Sequence, residues 1–182
     1  VWIEGEIMGF FDKFKKTEPA KPATIAVEAV PTAVYAPVSG NGVAMESLPD
    51  PVFASGVMGK AYGIEPEDGV IYSPVAGTIS ATTGTLHAIG VSTDDGIEVL
   101  IHVGVDTVNM KGEGFTGFIE KGQHVVAGEP LMTFDRDKIK QAGYNDIVIV
   151  VITNTDDLAK VEPIAAVHVV AGEKIFDVAA TK

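Results

Sequence analysis

From about residue 25 onward the chain alternates short Val- and Ile-rich runs with Gly, Pro, Asn and Asp. Such runs, too short for helices and punctuated by turn residues, predict an all-β fold: an antiparallel β-sandwich or barrel with short helical segments. One strongly apolar run is Val99–Val105. On a pleated strand Leu100, His102, Gly104 and Asp106 share one face, and Val99, Ile101, Val103 and Val105 share the other. Only Asp135–Ala142 and Asn154–Lys160 read as helical. Internal repetition is evident. Val34–Gly40 (VYAPVSG) is echoed by Ile71–Gly77 (IYSPVAG), each a strand entering a Pro-Val-x-Gly turn. His124–Leu131 (HVVAGEPL) is echoed by His168–Ile175 (HVVAGEKI), and both copies read as hairpin turns.

The start of the chain follows a different pattern. Ile7, Phe10, Phe11 and Phe14 fall at helical spacing, with Lys13, Lys15 and Lys16 set against Asp12, and Thr17–Thr24 reads as a Pro/Ala/Lys linker. Met8 is a candidate native start. The division expected is an amphipathic tail and linker over 1–24 and one β domain over 25–182. A basic amphipathic segment of this kind suits weak attachment of residues 1–16 to an anionic membrane surface, the alternative being a disordered tail or one packed on its own domain.

Charge narrows the partners. A net charge of −12 argues against nucleic acid, whose phosphates need a basic footprint, and favours a basic protein partner. No apolar run approaches the roughly 20 residues that span a bilayer, and no signal-peptide pattern is present, so a cytoplasmic protein is expected. Cys is absent, which excludes thiolate chemistry and Cys-ligated zinc within this sequence.

The candidate chemistry lies in the histidines. His124 and His168 recur with the repeated turn and are assigned to structure. His87 and His102 have no such explanation. From its strand alone, His102 is also compatible with a core histidine satisfied internally. Gly104 is read as leaving the imidazole face open to a visitor. Two converging imidazoles allow metal binding, general acid–base work or phosphoryl transfer to a ring nitrogen. An apolar wall suits the last, since burial keeps the acceptor unprotonated. Thr85, taken to share a strand face with His87, could orient that ring. No Walker loop, dinucleotide fingerprint or Gly-x-Ser-x-Gly occurs.

The string Gly96–Val108 (GIEVLIHVGVDTV), followed by Lys111–Phe115 (KGEGF), closely resembles the phosphohistidine signature of the glucose-type enzyme IIA of the bacterial sugar phosphotransferase system. The resemblance extends through Ala36–Gly40, Pro49–Ala54, Ser73–Ile79 and His87-Ala88, covering roughly Thr32 to Val178. It implies a phosphocarrier with His102 as acceptor through Nε2, His87 as partner imidazole and Thr85 as supporting hydroxyl. It implies the phosphohistidine of HPr as donor and a cysteine of the enzyme IIB domain of a sugar permease as acceptor, with no cofactor and no metal. Val52, Phe53, Val57, Met58 and Val108 match the family's apolar docking surface, and Asp50 and Asp106 its acidic rim. Where relatives often carry an aromatic two residues before the supporting Thr, this chain has Thr83. Two other readings are a lysostaphin-type zinc hydrolase, for which a His-x-His pair is missing, and a lipoyl- or biotinyl-type carrier, for which Asp137-Lys138 is the nearest site.

Overall fold

A computed structural model of the protein describes residues 19–181. The amphipathic tail expected over residues 1–16 therefore lies outside the described residues. Fourteen strands follow in chain order. They are β1 (Ala33–Tyr35), β2 (Gly40–Ala44), β3 (Lys60–Pro66), β4 (Val70–Tyr72), β5 (Gly77–Thr82), β6 (Ala88–Ser92) and β7 (Glu98–Val103). Then come β8 (Phe115–Gly117), β9 (His124–Val125), β10 (Pro130–Phe134), β11 (Val148–Ile152), β12 (Leu158–Pro163), β13 (His168–Val169) and β14 (Lys174–Ala180). Two short helices, α1 (Pro51–Ala54) and α2 (Arg136–Gln141), complete the regular structure apart from single 3-10 turns.

The architecture is an antiparallel β-sandwich. One eight-stranded sheet runs β13-β2-β3-β11-β7-β6-β5-β9, against two three-stranded sheets, β1-β14-β12 and β4-β10-β8. The main core between them takes Val34, Ile64, Ile71, Ile101, Leu131, Val150, Phe176 and their neighbours. In β11 every residue is buried, because both faces are covered. Val148, Val150 and Ile152 point into the main core. Ile149 and Val151 meet a second cluster with Leu48, Phe53, Ala61 and Ile147 on the outer face. A strand covered on both sides reads as a continuous apolar run, as VIVVI does. The outer cover includes α1, which the hydrophobic pattern did not announce. Asp50 starts it, its carboxylate accepting the Val52 N–H at 2.9 Å, and Pro51 fills the first helical position, where no N–H is needed.

The repeats are joints between sheets rather than hairpins. β9 pairs with β5 while β10 pairs with β4 and β8; β13 pairs with β2 while β14 pairs with β1 and β12. Each repeated turn thus carries the chain from one sheet to the other, and so does each Pro-Val-x-Gly segment. The backbone bonds duplicate too. Ala36 N–H donates to Glu173 O and Gly172 N–H to Ala36 O; Ser73 N–H donates to Glu129 O and Gly128 N–H to Ser73 O. Between the copies the exchange is reciprocal, Tyr35 N–H to Pro74 O and Tyr72 N–H to Pro37 O. Each turn glutamate accepts a backbone N–H of its own turn, Glu129 from Val126 and Glu173 from Val170.

The expected helix at Asn154–Lys160 is absent. Thr155–Asp157 forms a single 3-10 turn, and Leu158 onward is strand β12. Asn154 is recruited instead as a side-chain staple, accepting the Glu98 N–H and donating to Gly96 O. The expected helix at Asp135–Ala142 is α2, capped by Asp135 through the Lys138 N–H.

The linker continues as an extended strap across both repeated turns. Ile25 N–H donates to Gly128 O, and the Tyr35 hydroxyl accepts the Val30 N–H while donating to Glu28 O. Gly128 and Gly172 both have positive φ, so alanine at either should cost about 1–2 kcal/mol from backbone strain alone. At Gly128 an added Cβ would also lie 2.4 Å from Ile25 O, whereas at Gly172 the nearest neighbour is the Val27 Cγ2 at 3.1 Å. Gly128→Ala is therefore expected to destabilise more than Gly172→Ala in urea unfolding, and to speed proteolysis within residues 19–31. Equal effects would show that the strap is not seated on Gly128.

Candidate active site: a histidine pair at the end of a central strand

His102 lies on β7, opposite Ile149 of β11 and Ala88 of β6. The alternation of β7 sends Val99, Ile101 and Val103 into the main core and leaves Leu100 and His102 on the outer face. The strand then stops. Gly104 and Asp106 do not continue the His102 face as the pleat predicts, because Gly104 has φ +77° and Asp106 φ +59°. Gly104 does not serve to open the imidazole face either. A Cβ there would sit 2.3 Å from Thr107 Cγ2 and 2.8 Å from Asn145 O, so only glycine fits this turn. The turn is fixed by the Gly104 N–H to Ile147 O at 2.7 Å and by the buried Thr107 hydroxyl donating to Val103 O.

The consequence is a carbonyl aimed back at the ring. His102 Nδ1 lies 2.9 Å from Gly104 O. A carbonyl can only accept, so Nδ1 carries the proton and, in the neutral ring, Nε2 carries the lone pair. Burial is the main influence holding the His102 pKa below the ordinary value, and the neighbouring His87 adds to it. The Gly104 carbonyl and the carboxylates of Asp50 and Asp106 oppose this without reversing it.

His87 approaches from the β5–β6 connection. Thr85 and His87 do not share a strand face; both sit in the turn between Thr82 and Ala88, where Leu86 has φ +58°. The bend brings the Thr85 hydroxyl to 2.6 Å from His87 Nδ1. Thr83, not foreseen as a contact, places its own hydroxyl 3.3 Å from the same nitrogen. The Val103 N–H donates to His87 O at 2.8 Å, tying this turn to the end of β7. The two rings meet edge to face with centroids 5.1 Å apart and planes at 81°. Burial lowers the His87 pKa as well.

Around the pair the expected docking residues divide. Phe53 is only 6 % exposed and packs against the His102 ring, centroids 5.1 Å apart, so it supports the site from within rather than presenting an outer surface. Val52, Val57, Met58 and Val108 are exposed, Val57 at 76 %. His124 and His168 stand apart on β9 and β13, both exposed, His168 pairing with Glu67 at 2.8 Å. Lys138 lies in α2 rather than at a hairpin tip. Among the described residues no three His, Asp or Glu side chains gather as a metal-ligating group. A groove of about 720 Å³ between Val43, Met45, Tyr62 and Ala166 includes neither histidine.

Residues 32–158 match the family described as phosphoenolpyruvate-dependent sugar phosphotransferase system, EIIA 1. The chain belongs to that family. A glucose-specific EIIA component of the phosphotransferase system from Halalkalibacterium halodurans is 43% identical over 162 residues, 89% of this chain and 90% of the relative. A beta-glucoside-specific EIIBCA component from Bacillus subtilis is 44% identical over 138 residues, 71% of this chain but 23% of the larger protein. The structure of glucose permease IIA from Mycoplasma capricolum superposes with a TM-score of 0.71 at 30% identity, covering 79% of this chain and 93% of that one. Membership of the EIIA family makes the protein a component of the sugar phosphotransferase system.

Both rings of this EIIA chain bind protons less readily than an unfolded histidine, which titrates near ~6.5. Below that value the unfolded chain takes up protons first, so stability falls as pH drops through about 6.5 and levels off once the folded rings are protonated too. Urea unfolding at successive pH values should show this loss in the native chain and much less of it in a His87→Gln/His102→Gln double variant. Parallel pH curves for the two proteins would remove the account.

Proposed function

We propose that this chain is the phosphocarrier of a glucose-type sugar permease, accepting a phosphoryl group on His102 Nε2 from the phosphohistidine of HPr. It then passes the group to a cysteine of enzyme IIB. The observation that carries this reading is the commitment of His102 Nδ1–H to Gly104 O, which leaves Nε2 as the nucleophile, in a setting that keeps the ring unprotonated. In the first step a P–N bond forms at His102 Nε2 while the donor's P–N bond breaks, and its electron pair stays with the donor imidazole. In the second an S–P bond forms as the His102 bond breaks. The given sequence holds no Cys, so that thiolate belongs to another chain or domain.

His87 suits the role of charge stabiliser. With Nδ1 accepting the Thr85 hydroxyl proton, its Nε2 carries N–H and can donate to a phosphoryl oxygen. Little covalent work is asked of the protein beyond placing and stabilising the group in transit. The exposed Val52, Val57, Met58 and Val108 offer an apolar contact area, with Asp50 and Asp106 as acidic neighbours for a basic partner. The name of the B. subtilis relative, which includes B and C as well as A components, supports transfer to an enzyme IIB partner. The glucose-specific names of relatives such as that of H. halodurans support a glucose-type permease. A cytoplasmic location fits this partnership, with residues 1–16 holding the carrier at an anionic membrane face.

Incubation with phosphoenolpyruvate, enzyme I and HPr should add one phosphoryl group, labile to acid and stable to base. His102→Ala should abolish this labelling; full labelling of that variant would refute the acceptor assignment. His87→Ala should still accept the group while losing about a hundred- to thousandfold in transfer to enzyme IIB. An unchanged transfer rate would remove His87 from the mechanism. Sedimentation with anionic vesicles should fall when residues 1–16 are deleted, and equal binding to neutral vesicles would exclude the membrane role.

A further inference from the structure

The turn that carries His87 contains a residue at odds with its own backbone. Thr83–Leu86 is a tight turn, closed by the Leu86 N–H to Thr83 O at 2.9 Å, and Leu86 itself has φ +58°. A left-handed residue at the end of a tight turn is common in hairpins, but glycine or asparagine ordinarily supplies it. A leucine there is strained, because its Cβ crowds the following carbonyl.

The side chain of Leu86 shows what holds it in that conformation. It reaches from the β5–β6 connection, on the eight-stranded sheet, to β8 on a facing sheet. There it lies over Gly117. A Cβ added to Gly117 would come 3.0 Å from Leu86 Cδ2 and 3.3 Å from Leu86 Cδ1. The half-buried leucine also packs against the main core. Beneath it the floor is firm, since Gly117 is paired with the fully buried Met132 of β10. Leu86 is thus a knob seated where β8 has no side chain, and the area it buries offsets the strain of its backbone.

The strained residue stands between the two groups that must meet. On a straight strand, residues two apart share a face but stand roughly 6.5 Å from each other. The bend at Leu86 brings Thr85 Oγ1 to 2.6 Å from His87 Nδ1. Were Leu86 to relax into the extended region, this hydrogen bond would open, and the ring would lose the partner that sets its tautomer.

We infer that Leu86 is a positioning residue: seated over Gly117, it holds the left-handed turn that keeps Thr85 on His87 Nδ1 and so presents His87 Nε2–H to the group carried by His102. This deepens the phosphocarrier reading and rests on it. Packing on one sheet thereby fixes an imidazole on the other.

The test uses the full chain with 15N-labelled histidine, comparing wild type, Leu86→Ala, Gly117→Ala and the double variant. Leu86→Ala should still accept label from phospho-HPr and keep the His102 Nδ1–H tautomer. Its His87 nitrogens should shift toward a mixture of tautomers, and its transfer to enzyme IIB should fall about tenfold, the scale of one hydrogen bond. Gly117→Ala should act in the same direction, because its methyl takes the space of the leucine. In the Leu86→Ala background it should add nothing further, a coupling that two independent packing losses would not show. Unmoved His87 signals in a folded Leu86→Ala overturn the inference, as do effects of the two single variants that simply add. Should Leu86→Ala fail to fold, Gly117→Ala decides alone, and unmoved His87 signals there overturn it. If wild type accepts no phosphoryl group, the phosphocarrier reading falls instead, and the His87 signals of the variants still decide whether Leu86 holds the ring.

Discussion

The bond from His102 Nδ1–H to the Gly104 carbonyl is the constraint around which the site is organised. It exists because β7 ends abruptly: a left-handed glycine, a buried threonine hydroxyl on Val103 O and the Ile147 carbonyl together turn the chain back on its own histidine. On the other side of β7 the ladder with β6 continues through the Val103 N–H to His87 O, which brings in the second ring. Phe53 closes the remaining side from α1. One backbone reversal thus sets a tautomer, a neighbour and a degree of burial at once, and each would be hard to obtain from side chains alone.

The two imidazoles divide their work through their surroundings rather than their identity. Both are shifted downward by burial, so both are neutral near pH 7. What separates them is the partner of Nδ1, an obligate acceptor for one and reversible hydroxyls for the other. Where the Thr85 hydroxyl donates to His87 Nδ1, the neutral tautomers are opposite, one presenting a lone pair at Nε2 and the other an N–H. Edge-to-face packing at 5.1 Å keeps those complementary ends in one neighbourhood.

Much of this could be read in the sequence, and the misses share a cause. The β class followed from periodicity, and the pair His87 and His102 from their escape from the repeats. The apolar run of β7 located its core face correctly up to Val103. Beyond that the pleat argument failed, since it assumed a straight strand where Gly104 and Asp106 both adopt positive φ. The same assumption put Thr85 on a strand with His87, when a bent turn is what lets a side chain two residues away reach the ring. Residues 154–160 misled because polar residues next to Leu158 mimic a short helix, while pairing with β14 from 158 onward decides otherwise. Phe53 was assigned to the docking surface by the family resemblance, with a core position as the alternative, because a short capped segment carries no period to decide between them. Asn154 overrode local pattern with two tertiary hydrogen bonds, to Glu98 and Gly96, while Thr107 and Asp50 fixed their turns with one local hydrogen bond each.

The reciprocal joints between the repeats have a kinetic meaning as well. β1 closes on β14, and β2 on β13, so the first strands of the sandwich are completed by the last. The Tyr35–Pro74 and Tyr72–Pro37 bonds further require both copies of the repeat to be in place together. Such a wiring makes closure of the sheets depend on long-range pairs, whose loop-closure entropy must be met before they form. On a ribosome, β1 and β2 would wait with open edges until β13 and β14 emerge. Closure of this β-sandwich therefore waits on β13 and β14, although the β5–β6–β7 meander that carries both histidines is local in sequence.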